Sequence, residues 1–315
     1  MGEERNLAIG VDLGGTNIKG GVVNLQGQVL RRMSLETLSQ EGPGRVLDQI
    51  AHLVEELKGR EKIRGVGVGC PGLVEPTLGI VRDPPNLKGW KEVNVKGNLE
   101  DRLRLKVEVA NDVNAAALGE LHFGAGRGMN DFICITLGTG VGGGLILDGK
   151  LFTGRRGAAG EIGHMPVDIF GPRCRCGNSG CLERYVGAEY IVARAQEKLR
   201  DNPKSLLSSL GKDFKLTTKL IAEAAQRGDG LAKEVFRETG EIVGALLSGV
   251  VNLLNLELII VGGGVARAGE LIFGPMRKAL EERTMNGEIQ RVRIVTALLG
   301  EDAGLIGAAS LILRP

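Results

Sequence analysis

The chain has 315 residues, 43% of them hydrophobic and 25% charged, with 40 basic against 38 acidic side chains and a formal charge of +2. So even a balance gives no electrostatic case for nucleic acid or an anionic membrane as the main partner, and the length allows a full core arranged as two lobes. Glycine is the outlier at 50 residues, well above the usual share of roughly 7%, and its short runs between apolar stretches read as tight turns and close backbone approaches.

In chain order, MGEERNLAIG carries no long apolar run behind its charges, so no secretory signal is expected. Leu7–Asp12, Ile18–Asn24 and Gln28–Ser34 read as an antiparallel meander turned at Gly14-Gly15-Thr16 and Gln26-Gly27. Val46, Leu47, Ile50, Leu53, Val54 and Leu57 recur at helical spacing between Gly44 and Lys58. Ile63–Gly69 is a buried strand stopped by Cys70-Pro71-Gly72, Pro84-Pro85 and Gly89 mark a loop, Leu105–Ala110 is a strand, and Asp112–Phe123 is a helix.

Asp131–Leu137, Gly142–Leu147 and Lys150–Thr153 then repeat the opening plan of strand, glycine-threonine turn, strand, turn, strand, an internal pseudo-repeat with one copy opening each lobe. Helices follow at about Ala188–Leu199, Thr217–Arg227 and Leu231–Leu254, a strand at Glu257–Val261, a helix at Gly269–Glu282, a strand at Val292–Thr296 and a last helix at Ala303–Leu313. Ile242–Val265 could be mistaken for a membrane span, but Asn252, Asn255 and Glu257 interrupt it, and a buried helix followed by a buried strand fits better. Alternating strands and helices make the fold class α/β.

Between the second meander and the next helix, Gly157–Gly187 concentrates the unusual chemistry. Three of the five cysteines, Cys174, Cys176 and Cys181, fall inside eight residues, with His164 upstream and Glu161 and Glu183 at the edges. An odd cysteine number with three crowded together points to a reducing compartment, the cytoplasm, and to a metal instead of a disulfide framework. Three thiolates and one imidazole suit tetrahedral zinc, and a site filled by protein donors would be structural; the alternative is a cluster of free thiols. Cys70 and Cys134 lie in apolar strands and read as inert core residues.

No GxxxxGK[ST] is present. GxGxxG matches at Gly67–Gly72 and Gly138–Gly143 open no helix, so neither is a dinucleotide fingerprint. The turns Gly14-Gly15-Thr16-Asn17 and Gly138-Thr139-Gly140 are better phosphate cradles, because backbone N–H groups can approach oxygens closely and the threonine hydroxyls add donors. Asp12 is placed to hold magnesium through water, and Lys19 could reach a phosphate. Plain hairpin turns are the competing reading, against which a third glycine run, Gly262-Gly263-Gly264, also follows a strand.

D-x-G-G-T-N-x-K at Asp12–Lys19, L-G-T-G-V-G-G-G at Leu137–Gly144 and V-G-G-G-V at Val261–Val265 together resemble the phosphate and adenosine segments of actin-like, hexokinase-type ATPases. E-x-G-H at Glu161–His164, C-x-C-G-x-x-G-C at Cys174–Cys181 and Glu183 are similar to the signature of the ROK family, which groups bacterial sugar kinases with sugar-responsive repressors. The resemblance spans essentially the whole chain. It implies a two-lobed actin-like ATPase (ribonuclease H-like) fold, with mixed sheets, flanking helices and a cleft between lobes. The expected division is a small lobe at 1–110 and a large lobe at 111–300 carrying the zinc segment 161–183, with the last helix, about 301–315, packed back on the small lobe.

Asp12 lies a few residues from the start, so the helix-turn-helix domain of the repressors is not expected and the kinase reading gains. P-N-L-K-G-W at Pro85–Trp90 and A-N-D-V-N-A at Ala110–Ala115 most resemble bacterial glucokinases, and the complete cysteine cluster favours ATP over polyphosphate. The resemblance thus implies an ATP- and magnesium-dependent kinase acting on a hexose 6-hydroxyl, glucose first, with a structural zinc and a homodimeric assembly. An N-acetylhexosamine or fructose kinase and a non-catalytic sugar sensor are the alternatives. Asp112 reads locally as a helix N-cap and, by resemblance, as the catalytic base. Asn86, Asn111, Asp112, Glu161, His164 and Glu183 match the family's sugar contacts, although Glu161 and Glu183 could also be a solvated pair of surface charges.

Overall fold

A computed structural model describes residues 6–209, 215–285 and 292–314; the first five residues, part of the leader reading above, lie outside it. The meander forms as β1 (Leu7–Leu13), β2 (Asn17–Val23) and β3 (Val29–Glu36). Helix α1 (Pro43–Lys58) returns the chain to β4 (Ile63–Cys70), which pairs parallel to β1. The side chains α1 buries are the six whose spacing predicted it, and they pack on Ile9, Val11, Val66 and Val68 of the sheet. Each such side chain contributes roughly 1.5–3 kcal/mol by leaving water, before chain entropy is set against it.

Next come β5 (Leu73–Glu75), β6 (Ile80–Arg82), β7 (Glu92–Asn94) and α2 (Val95–Leu103), with β5-β6-β7 forming a small antiparallel sheet. The sequence shows only a loop here, because strands of three residues are too short to display alternation. Then β8 (Val107–Asn111) completes the first sheet, of order β3-β2-β1-β4-β8, and α3 (Asp112–Phe123) follows directly.

The second meander is β9 (Phe132–Leu137), β10 (Val141–Leu147) and β11 (Lys150–Phe152). After it come α4 (Glu183–Val186), α5 (Ala188–Leu199), α6 (Thr218–Gln226), α7 (Gly230–Leu254), β12 (Leu258–Gly262), α8 (Glu270–Arg283), β13 (Arg293–Thr296) and α9 (Ala303–Leu313). The second sheet runs β11-β10-β9-β12-β13. Position by position this is the order of the first, so the pseudo-repeat seen in the sequence is a repeat of topology. The segment that could have passed for a membrane span divides into α7 and β12, and among the described residues no helix is long and apolar enough to cross a membrane.

The chain forms two compact units, one of Met1–Cys134, Gly144–Gly160 and Ala297–Pro315, the other of Ile135–Gly143 and Glu161–Thr296. Within the first, α9 lies on β1, β4 and α3 at backbone contact. A Cβ at Gly10 would overlap the Leu305 carbonyl, one at Gly67 the Ala308 carbonyl, and one at Gly307 the Ala115 carbonyl. Glycine is required there because helix and sheet backbones touch, not because of a turn.

Candidate active site

In the first unit the register fixes where the acidic groups stand. Asp12 of β1 is level with Gly69 of β4, and Gly69 with Ala110 of β8. With strands about 4.8 Å apart, the backbones of Asp12 and Ala110 are separated by about 10 Å, and Asp112 opens α3 two residues later. Both aspartates thus sit at the carboxyl ends of parallel strands, the edge at which α/β sheets present their ligands. Burial pushes the Cys70 thiol up, and the charges of Asp112 and Asp12 add to it, which places both carboxylates about the end of β4.

Burial also raises the Asp12 carboxyl above its ordinary range, opposed by the ammonium of Lys19, its cross-strand partner. A buried carboxylate so weakly compensated fits the outer sphere of a divalent cation. The Lys19 ammonium stands 3.9 Å from Glu301, outside β2 on the solvent side. In the turn, Gly14 N–H donates to the Asn17 carbonyl at 3.0 Å. Thr37, fully buried, donates its hydroxyl to Gly14 O at 2.7 Å and its N–H to Thr16 O at 2.8 Å, a brace that sequence reasoning missed. Asn86 stands against this turn, since a Cβ on Gly15 would come within 2.8 Å of its own. Its loop is anchored by the buried Leu87 and Trp90.

The cap of α3 is Asn111, not Asp112. Asn111 Oδ1 accepts from the N–H groups of Val113 (2.9 Å) and Asn114 (3.2 Å), while its Nδ2 donates to Gly72 O at 3.1 Å. Asp112 is the first helical residue, its Oδ1 accepting from Val113 N–H at 2.9 Å at the N-terminal end of the helix. Two turns on, Glu120 is completely buried, and among the described residues it has no salt-bridge partner. Its Oε1 accepts from Leu299 N–H (2.9 Å) and its Oε2 from Ala125 (2.7 Å) and Leu298 (3.2 Å), tying the far end of α3 to the segment that leads into α9. The only sequence signal for this was an acidic residue on an otherwise apolar helix face.

In the second unit, the turn Gly138-Thr139-Gly140 closes with Gly138 N–H donating to Gly140 O at 3.0 Å. Gly263, at φ 89°, packs on Leu137 where any Cβ would overlap the carbonyl, while Gly262 ends β12 and Gly264 faces open space. Glu161 precedes the single turn Ile162–His164 and Glu183 opens α4. Partial burial raises the Glu161 carboxyl; His164 lowers it and the charge of Glu183 raises it further, so the two carboxylates are electrostatic neighbours.

The ligand atoms of His164, Cys174, Cys176 and Cys181 lie within 4.8 Å of one another. His164 Nδ1 is 3.7 Å from Cys174 Sγ, and the Cys176 and Cys181 sulfurs are 3.6 Å apart, far beyond a disulfide. Metal–donor lengths of about 2.0–2.3 Å in a tetrahedron put neighbouring donors about 3.4–3.8 Å apart, so the spacing fits zinc. The loop is shaped for it. Gly177, at φ 93°, turns the chain so that its N–H meets Cys174 O (3.1 Å), and Cys174 N–H meets Asn178 O (2.8 Å). The other histidine nitrogen, Nε2, faces Glu161 at 4.0 Å. The three cysteines and the histidine spaced along the sequence are therefore one cluster.

The ROK family profile matches residues 8–314. The chain is 39% identical over 305 residues to a glucokinase of Thermotoga maritima, covering 96% of each. It is 29% identical over 310 residues to a xylose repressor of Caldicellulosiruptor bescii, covering 97% of this chain and 77% of the repressor. Among solved structures, a ROK family glucokinase from Streptomyces griseus in complex with glucose and AMPPNP superposes with a TM-score of 0.85 and 40% identity over 97% of this chain and 98% of that one. The mixed α/β fold is that of the actin-like ATPases, and with the profile spanning nearly its whole length, the chain belongs to the ROK family.

Proposed function

We propose that the protein is an ATP-dependent hexose kinase that phosphorylates the 6-hydroxyl of glucose. The observation that carries this is the end-to-end similarity to glucokinases, closer than that to the repressor, with Asp12 and Asp112 both present at the strand ends. Asp112 accepts the proton of the attacking hydroxyl. Because phosphoryl transfer is loose, it orients the nucleophile and takes the proton late, so no free alkoxide is needed.

Asn86, Asn111, Glu161, His164 and Glu183 hold the sugar hydroxyls, each of which donates and accepts in fixed directions. The turns Gly14-Gly15-Thr16-Asn17 and Gly138-Thr139-Gly140 offer N–H and hydroxyl donors to the phosphates, Lys19 adds charge, and Gly262-Gly263-Gly264 clears space for the adenosine. Asp12 holds magnesium through water, and the ion screens the phosphate charge when bound. Zinc at His164, Cys174, Cys176 and Cys181 holds Glu161 and Glu183 in place and takes no part in transfer. A cytoplasmic homodimer is the assembly the family resemblance supports.

The test is a coupled ADP-release assay over glucose, mannose, fructose and N-acetylglucosamine, with wild type and Asp112→Asn. Turnover should be greatest on glucose, and the variant should lose about 10²–10⁴-fold in kcat with little change in glucose affinity. Binding of glucose with turnover on none of the four would replace the kinase by a sugar sensor.

A further inference from the structure

Glu183 touches more than the sugar side of its unit. Its Oε2 accepts a hydrogen bond from Val141 N–H at 3.0 Å, the first amide after the Gly138-Thr139-Gly140 turn, and it fills the place a side chain on Gly140 would occupy, 2.6 Å from a Cβ built there. Among the described residues, Oε1 accepts no hydrogen bond. Five residues on, the Ala188 N–H donates to Gly138 O at 2.8 Å, and a Cβ on Gly187 would reach within 3.2 Å of Thr139 O. The other side of the turn is held too, because Gly163, between Glu161 and His164, lies against the Val141 carbonyl with no room for a Cβ. The glycine turn is thus clasped by the same two segments, Glu161–His164 and Glu183–Ala188, that carry carboxylates toward the sugar.

We propose that Glu183 is a positioning residue for the phosphate turn as well as a sugar contact, so that sugar and nucleotide are coupled through one carboxylate inside this unit. This rests on the kinase reading above. A sugar hydroxyl donating to Oε1 fixes the carboxylate plane, which fixes Oε2 beneath Gly140 and Val141 and orders the amides that face the phosphates. Since coupling is reciprocal, nucleotide in the turn tightens the sugar by the same factor.

Calorimetric titration of AMPPNP with magnesium, without and with saturating glucose, reads this directly. In the wild type, glucose should tighten AMPPNP by about fivefold or more. Glu183→Ala should weaken AMPPNP in the absence of any sugar and reduce the effect of glucose to less than about twofold. Glu183→Gln separates the roles: its amide oxygen can stay on Val141 N–H, so AMPPNP affinity should be retained while glucose alone binds more weakly. Ala188→Pro perturbs the turn from the other side. It removes the donor to Gly138 and crowds that carbonyl, and proline is acceptable as the first residue of α5 after the extended Gly187, at φ −63° and ψ 148°.

That variant should bind glucose alone as the wild type does but show weaker AMPPNP binding and reduced coupling. Wild-type protein that binds both ligands without coupling would overturn the inference, as would Glu183→Ala with full coupling; both leave the kinase reading intact. Wild-type protein that binds neither ligand would instead remove the functional reading on which the inference depends.

Discussion

Replacing Glu120 by alanine tests whether a buried carboxylate held by backbone N–H groups can be a principal brace of the first unit. The side chain is fully enclosed, and its three partners are backbone N–H groups, of Ala125, Leu298 and Leu299. Hydrogen bonds to an ionised group contribute about 1.5–3 kcal/mol each, and a donor left buried without an acceptor costs about 1–3 kcal/mol. Simple addition overstates the loss, since water can enter the space vacated beside two surface segments. We expect about 3–5 kcal/mol of destabilisation, at the upper end of what single substitutions produce.

Urea denaturation followed by circular dichroism should show the midpoint falling with the slope unchanged. Hydrogen exchange at Ala125, Leu298 and Leu299 should quicken before the core strands respond. Glu120→Gln, which keeps one acceptor oxygen but turns an NH2 toward another donor, should fall between wild type and alanine. Glu120→Ala within about 1 kcal/mol of wild type, with those three amides still protected, would refute the reasoning.

Purified protein should carry about one equivalent of zinc, and Cys181→Ser should lower both metal content and thermal stability; less than about half an equivalent in the wild type would remove the metal reading. Gly67→Ala should destabilise by about 2–3 kcal/mol or more because its methyl overlaps the Ala308 carbonyl. Gly249→Ala, in α7 with open space around its Cβ, should stabilise by about 0.5–1 kcal/mol, and equal effects in a thermal melt would contradict the packing argument. Burial of Asp229 raises its carboxyl, but the N–H groups of Ala232 and Leu206 and the Ser205 hydroxyl hold it below its ordinary range overall. Its folded pKa being depressed, its stabilisation is present above the unfolded value of about 3.9 and is lost as pH falls through the folded one. The stability gap between wild type and Asp229→Asn should therefore be full at pH 7 and close below about pH 4.

Much of the fold was legible because the long elements declare their period. α1 shows its six buried positions at helical spacing, and the two meanders show one plan twice. The strands β5, β6 and β7 were invisible for the opposite reason: three residues carry no period, even though the strands pair only with one another over a short stretch of chain. At the site, residue types and order were enough to bring out the cysteine-histidine cluster and the two aspartates. What stayed hidden was which neighbour does which local task. Asn111, adjacent to Asp112 and equally good as a cap, takes the capping role. Thr37, Glu120 and the bond from Val141 to Glu183 could not be read because each joins segments far apart in sequence, through hydrogen bonds that leave no pattern along the chain.

The seat of α9 on β1, β4 and α3 has a further consequence. Where helices rest on sheets through leucines and valines, side chains can hop between rotamers and a lost methyl can be made good by a neighbour, so the contact is soft and open to drift. Here carbonyls meet α-carbons at Gly10, Gly67 and Gly307. Such a contact has no rotamers to freeze and no spare volume to trade. Gly304 of the same helix stands against the Asp12 carboxylate, where a Cβ would come within 3.0 Å of Cγ. A shift of α9 by even the width of one methyl group would therefore arrive at Asp12 almost undiminished. The surface is a gauge block for the Asp12 carboxylate, and it can tolerate change only by giving up that setting.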